Sequence, residues 1–356
     1  MKSIGSLLVA TTLICCLLNT ASLAQRLPTA KNQVLSSTDK ALIKDYISKW
    51  APQLVAEDDR QVTAAKDQLI IPLDTDSTAF FLVEYRAALR GPLRQAFESK
   101  SASKRLIVRL NAMIVAAELH DTDNINLLIQ GLNDQNPAVR YWAAQAIAGL
   151  TRGPNLKIQQ RNKLFSALAV AMENEKIEPV LKQMMRALVR LTKHVPNAIN
   201  TLLQTINKRV ELHMASPQLG ISAEIEGLRD LRQPLIESRA ANPAATTEAL
   251  RQFILVATRY HMLAATQLEQ GKVPAIHRGD YITLLNLVDN VLPWAVRQLG
   301  VKTISPDLKQ PIGPYLEQKQ WALINLRAVG WQQLLITTLK FQGKEVTLKP
   351  IENKDE

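Results

Sequence analysis

The sequence predicts an all-α protein in which antiparallel helix pairs stack on one another. Glycine is scarce, with 13 in 356 residues, and an apolar content of 47% is typical of a folded chain. Apolar residues recur at i, i+4, i+7, i+8 and i+11 in three similar segments, which is the pattern of one buried helix face. Proline, glycine and asparagine separate these segments, at points where helices start and stop.

The first 24 residues have the features of a secretory signal peptide. Lys2 precedes an apolar run over residues 4–18, and Ser22 and Ala24 supply the small side chains that a cleavage site requires. The run is shorter than the roughly 18 residues that span a bilayer. We therefore expect cleavage after Ala24 and an exported protein, periplasmic or extracellular.

Two alternatives for this segment stay open, a lipoprotein signal acylated at Cys16 and an uncleaved membrane anchor. Cys15 before the acceptor and the two leucines at 17–18 disfavour the lipoprotein. These two cysteines are the only ones in the chain, so cleavage leaves no disulfide and no thiol nucleophile. An exported protein of this size without disulfides favours a bacterial envelope protein over a eukaryotic secreted one.

Residues 25–100 predict a helical region that caps the stacked pairs. Its helices are expected from Thr38 toward Trp50, over 61–71 with an end at Pro72, and over 79–90. Ser77 and Thr78 can cap the third helix, and Gly91–Pro92 is expected to break it.

Residues 101–215 contain the repeat. Three copies cover 108–119, 139–150 and 180–191, with starts 31 and then 41 residues apart. Each copy has an apolar partner helix in the sequence, and residues 197–206 open a fourth pair. One pair cannot bury its apolar stripe alone, so the pairs must stack to be stable.

The best copy begins at Asn136–Pro137, where asparagine can cap a helix and proline fits its first position. The sequence Asn-Pro-x-Val-Arg, followed by Ala-x-x-Ala-Ile-x-x-Leu, resembles the HEAT repeat, most strongly within residues 104–191. That resemblance implies a right-handed α-solenoid of the armadillo-like class. Ala143, Ala144 and Ala146 would let neighbouring helices approach closely.

Residues 216–350 predict a less regular helical region, with a soft boundary at 215–243 where Pro and Gly cluster. Three long helices are expected, over 246–270, 280–299 and 314–340. Residues 339–348, which include Thr, Phe and Val, allow a short hairpin instead. Residues 351–356 are expected to be a frayed tail.

Catalytic motifs are absent from the sequence, so we interpret the protein as a non-enzyme without cofactor or metal. Two Ser-x-x-Lys matches, at Ser37 and Ser101, lack the partner motifs of that chemistry, and Ser37 is interpreted as a helix cap. Five histidines are scattered without ligand spacing, and His120 and His194 follow helix ends, where a cation favours the helix dipole. Residues 57–59 are interpreted as an acidic first helical turn.

The charge balance is basic. The net charge of +11 becomes +10 when Lys2 is removed, which attracts anionic partners at long range. Lys and Arg are interspersed with Asp and Glu, however, which indicates a generally solvated surface. An acidic glycan or an anionic membrane surface is therefore an alternative partner, and export disfavours nucleic acid.

The function predicted from these features is an exported, non-enzymatic scaffold that binds another protein on its concave face. The alternatives are a structural cell-envelope component and an enzyme with a site in residues 216–350. Arg109 and Arg140 are equivalent in the first two copies, and Tyr141 lies off the apolar stripe, so these three are the candidate partner-binding residues. The competing interpretation is that each arginine bonds to a neighbouring turn and holds the stack.

Overall fold

The computed structural model describes residues 27, 34–73, 76–153, 156–195 and 197–348. Within these ranges the protein is helical and contains no strand, so the predicted all-α repeat class is confirmed. None of the helices found there is long and apolar enough to cross a membrane. The predicted signal peptide, both cysteines and the 351–356 tail lie outside the described residues.

The chain divides into two compact units, one ending at Asp121 and the other starting at Thr122. Whether the predicted boundaries at residues 100, 215 and 350 separate independent domains stays a prediction. The described part of the first unit contains the α-helices α1 (Ser37–Trp50), α2 (Asp59–Ile70), α3 (Ala79–Glu98), α4 (Lys100–Lys104) and α5 (Leu106–Leu119). Helix α3 packs on α1 and α5, and α2 packs on α5.

Side-chain caps fix the helix starts in this unit. Ser36, rather than the predicted Ser37, caps α1, and it forms a reciprocal capping box with Asp39. Asp58 caps α2 by accepting from the backbone N–H of Arg60, as expected for an acidic first turn.

The predicted break at Gly91–Pro92 is wrong, since α3 continues through it to Glu98. A proline inside a helix costs about 3 kcal/mol. The buried stripe of α3 continues beyond the proline, however, with Leu89 before it and Leu93 after it both fully buried. Each such leucine contributes about 1.5–3 kcal/mol, so burial offsets the local cost.

The second unit holds the remaining helices. Its described residues form α6 (Ile125–Leu132), α7 (Pro137–Leu150), α8 (Ile158–Asn174), α9 (Glu178–Leu191), α10 (Ala198–Ala215), α11 (Ser222–Asp230), α12 (Arg232–Ala241), α13 (Pro243–Glu269), α14 (Arg278–Gln298), α15 (Pro306–Lys309), α16 (Gly313–Glu317), α17 (Trp321–Thr337) and α18 (Gly343–Val346). Two rows result from their packing. One row runs α6, α8, α10, α13 and α17, and the other runs α7, α9, α11 and α14.

Small residues set the spacing within the second row. Ala143 and Ala144 of α7 are fully buried, and Asn136 and Pro137 occupy the predicted cap and first position of that helix. Gly227 of α11 faces Met185 of α9, where a Cβ atom would stand 2.5 Å from the methionine sulfur. Glycine at this position therefore allows the close approach of α9 and α11, and any larger residue would force Met185 to shift. Since α10, α11, α13 and α14 belong to these rows, the pairing continues past residue 215.

The C-terminal helices differ from the expectation in two places. Residues 314–340 form two helices, because Lys319 adopts a left-handed backbone (φ 53°) and Gln320 N–H bonds back to the Tyr315 carbonyl at 2.9 Å. The hairpin alternative for 339–348 is also wrong. A short helix, α18, forms there, and the N–H of Gln342 donates to the Glu345 carboxylate at 3.0 Å.

Candidate functional site

Arg140, a predicted binding residue, is engaged in a tie between successive helix pairs. Its Nε and Nη2 donate to the two carboxylate oxygens of Glu175 at 2.6 and 3.0 Å. Its Nη1 donates to the carbonyls of Asp134 and Gln135, both at 2.9 Å. Glu175 is buried and lies between α8 and α9, so this guanidinium joins the turn of its own pair to the turn of the next. This is the arrangement that holds a stack.

Arg109 and Tyr141 also have contacts within the protein. Arg109 lies in the first unit, where its Nη1 donates to the carbonyl of Ala102 at 2.7 Å. Tyr141 is half-buried, and its ring meets that of Trp142 edge-on with centroids 5.9 Å apart. The part that these three residues have in partner binding stays a prediction.

A buried ionic cluster, Arg209–Glu224–His213, lies in the second unit and was not predicted. Arg209 Nε and His213 Nε2 both contact the same oxygen of Glu224, at 2.6 and 2.9 Å. Arg209 Nη1 donates to the carbonyls of Met172 and Glu175, both at 2.8 Å. The cluster thus connects α10, α11 and the end of α8.

The electrostatics of the cluster favour ionised Glu224. Burial alone would raise its pKa, but His213 and Arg209 lower the pKa to about 2. Burial raises the pKa of the neighbouring Tyr260 far above its usual range, and its hydroxyl donates to the carbonyl of Ile206 at 3.2 Å. All of these side chains are buried to within 1% of full burial, so the cluster offers no exposed face to a substrate.

His261 of α13 is a second buried titratable group. It is fully buried, and within the part of the chain that the structure describes neither ring nitrogen has a hydrogen-bond partner. Burial, followed by the positive charge of Arg327, lowers its pKa to about 3. The side chain is therefore neutral at physiological pH. A histidine on an apolar helix stripe was the only sequence signal for this position.

The other residues that the sequence offers for chemistry make contacts that stabilise the fold. Lys40, the lysine of the first Ser-x-x-Lys match, forms an ion pair with Glu84 at 2.6 Å. His120 ends α5 in a left-handed backbone conformation, and its ring Nδ1 contacts the carbonyl of Ala117. Among the described residues no group of three His, Cys, Asp or Glu could hold a metal ion.

One surface stands out as apolar, the outer face of α17. Leu323, Leu326 and Val329 follow one another at helical spacing, with exposed fractions of 46, 67 and 52%. Arg327 is the only charged residue in α17, and it points inward to Asp289. The opposite face is buried through Trp331 and its neighbours, where α17 packs on α13. A surface helix normally keeps its large apolar side chains on the buried face and polar side chains on the outer face. The outer face of α17 therefore has the composition of an interaction surface.

The match to a known family model agrees with the pairing of α6 and α7. Residues 125–153 match the family model of the HEAT repeat. No curated protein matches the sequence. A crystal structure of an engineered protein, a target of the Northeast Structural Genomics Consortium, is similar at 15% sequence identity. The match covers 68% of this chain and 96% of that chain, with a TM-score of 0.42. The predicted resemblance to the HEAT repeat is confirmed over the matched segment, which contains the helix pair α6–α7.

Proposed function

We propose that this chain is an exported, non-enzymatic helical-repeat scaffold that binds another protein through the outer face of α17. The observation that carries the proposal is the exposed row of Leu323, Leu326 and Val329 on a helix without an outward charge. Patches of this kind on soluble proteins are typical of protein–protein contact sites. HEAT repeats commonly serve as scaffolds for such contacts, which agrees with this assignment.

The surface can be tested with a charge-introducing double variant. Cross-linking and affinity capture from the native compartment should recover a partner with the wild-type chain and lose it with Leu323→Glu plus Leu326→Glu. The matched control is Phe80→Glu plus Val83→Glu, two apolar residues at the same spacing on α3 with exposed fractions of 63 and 62%. Circular dichroism must show that both variants are folded. The assignment would be overturned if the α17 variant still captured the partner, or if only the α3 variant lost it.

Export is the second part of the proposal and depends on the first 24 residues. Intact-mass spectrometry of the native protein should find a chain that starts at Gln25. A full-length cytosolic chain that starts at Met1 would refute export. A diacylglycerol-modified Cys16 would establish the lipoprotein instead.

A further inference from the structure

A cavity of about 600 Å³ opens beside the C-terminal half of α14. One wall is formed by α14, from Asn286 to Arg297, and the other by the segment from Lys302 to Gly313. This volume is in the range of sites that hold small organic ligands and exceeds what a single inorganic ion fills. The cavity lies within the second unit and is separate from the outer face of α17.

Three cationic side chains line this cavity, those of Arg297, Lys302 and Lys309. None of them has an acidic partner among the described residues, and the Arg297 Nε donates only to the carbonyl of Pro293 at 3.0 Å. Asp289 is the one acidic side chain in the described lining.

The carboxylate of Asp289 is already neutralised. Arg327 pairs with it from behind, with Nε donating at 2.8 Å, and the backbone N–H of Ile312 donates to its other oxygen at 3.2 Å. The two charges of this pair cancel, so the three remaining cations set the sign of the cavity. It therefore attracts anions.

The rest of the lining suits a hydroxylated ligand. Asn286 and Asn290 supply amide groups, which can donate to and accept from hydroxyl groups. Pro293, Ile304 and Leu308 supply apolar surface against which the C–H face of a sugar ring can pack. Cations, amides and apolar surface together match a carbohydrate that carries carboxylate groups.

We propose that this cavity is a binding site for an acidic oligosaccharide, with Arg297, Lys302 and Lys309 holding its carboxylates. The site goes beyond protein binding by the outer face of α17 and does not depend on it. The positive net charge of the whole chain would aid the approach of the same ligand.

The test is calorimetric titration of the full chain with trigalacturonate at low salt, with maltotriose as the neutral trisaccharide. We expect trigalacturonate to bind and maltotriose not to bind. Lys302→Ala plus Lys309→Ala should weaken binding of trigalacturonate at least tenfold. Both lysines are exposed, and an unchanged melting temperature would show that the variant is folded. The matched control, Lys272→Ala plus Arg278→Ala, removes the same charge from exposed positions outside the cavity and should bind normally.

Four results would overturn the proposal. Absence of trigalacturonate binding would do so directly. If the cavity variant and the control variant lost trigalacturonate affinity equally, binding would depend on the general surface charge and not on the cavity. Inorganic phosphate that binds as tightly as trigalacturonate would make this an ion site. Binding to phosphatidylglycerol vesicles that requires Lys302 and Lys309, without trigalacturonate binding, would make it a lipid-headgroup site.

Discussion

Buried His261 should make the second unit sensitive to acid well above the range in which carboxylates titrate. In the folded protein its pKa is about 3, compared with 6.5 for the unperturbed side chain. Between these values the unfolded chain binds a proton that the folded chain does not. The stability contribution is therefore complete above pH 6.5 and is lost as pH falls.

The magnitude follows from the size of this gap. Each pH unit below 6.5 removes about 1.4 kcal/mol from the free energy of unfolding, so at pH 5 the loss is about 2 kcal/mol. Glu224 adds little in this window, because its pKa is about 2 in the folded protein and 4.5 when unperturbed. Its contribution is lost only below about pH 4.5. Burial and the nearby Arg161 and Lys193 also lower the pKa of His194, so only a comparison with a His261 variant separates the two histidines in this interval.

The assay compares the wild-type chain with His261→Leu, a variant of similar volume that cannot titrate. Urea-dependent hydrogen exchange of α13 gives the local free energy of opening at pH 7 and pH 5 for both proteins. We expect the wild type to lose about 2 kcal/mol more than the variant between these pH values. An equal loss in the two proteins would refute the reasoning, since it would mean that His261 is protonated in the folded state.

Three further predictions concern single residues that affect helix packing. Arg140→Ala should lower the free energy of unfolding by about 3 kcal/mol, because it leaves the buried Glu175 carboxylate with only backbone donors; urea unfolding would measure this, and a loss under 0.5 kcal/mol would contradict the tie. Gly227→Ala should destabilise by about 1–3 kcal/mol, since Met185 must shift. Gly91→Ala, where no atom lies within 4 Å of the added carbon, should instead raise the melting temperature.

Local signals in the sequence were sufficient for the helix pairs but not for their context. Asn136 and Pro137 act through groups one or two residues away, so their roles could be read directly. The helix at Pro92 could not be predicted in this way. It continues because Leu93 is buried against distant helices, which a local sequence pattern does not show. The split at Lys319 depends likewise on a left-handed residue that is not glycine.

The candidate sites were harder to predict for a related reason. Polar residues on a helix, such as Arg209 and His213, resemble a solvated face until their buried partner Glu224 is known. The opposite occurs in α17. The sequence pattern predicts that Leu326 is buried in the core, but its side chain is exposed. In both cases the sequence predicts a helix in the same part of the chain, with other bounds, and only the neighbours decide which of its faces meets water.

Three arginines in the second unit share one geometry, which bears on how the repeat arginines should be interpreted. Arg140, Arg209 and Arg327 each pair with a buried or nearly buried carboxylate and donate in addition to two backbone carbonyls at helix ends. Only guanidinium, with five N–H donors in a planar fork, can satisfy so many acceptors at once.

These arginine contacts form specific links between one helix pair and the next. Such links are useful in a chain that has no disulfide in its described part. The contacts also engage the guanidinium groups that a partner would have to contact. The two surfaces proposed for recognition, the outer face of α17 and the cationic cavity beside α14, present side chains other than these three arginines. We therefore interpret Arg140, Arg209 and Arg327 as links between helices, and we propose recognition at the apolar and cationic side chains of the other two surfaces.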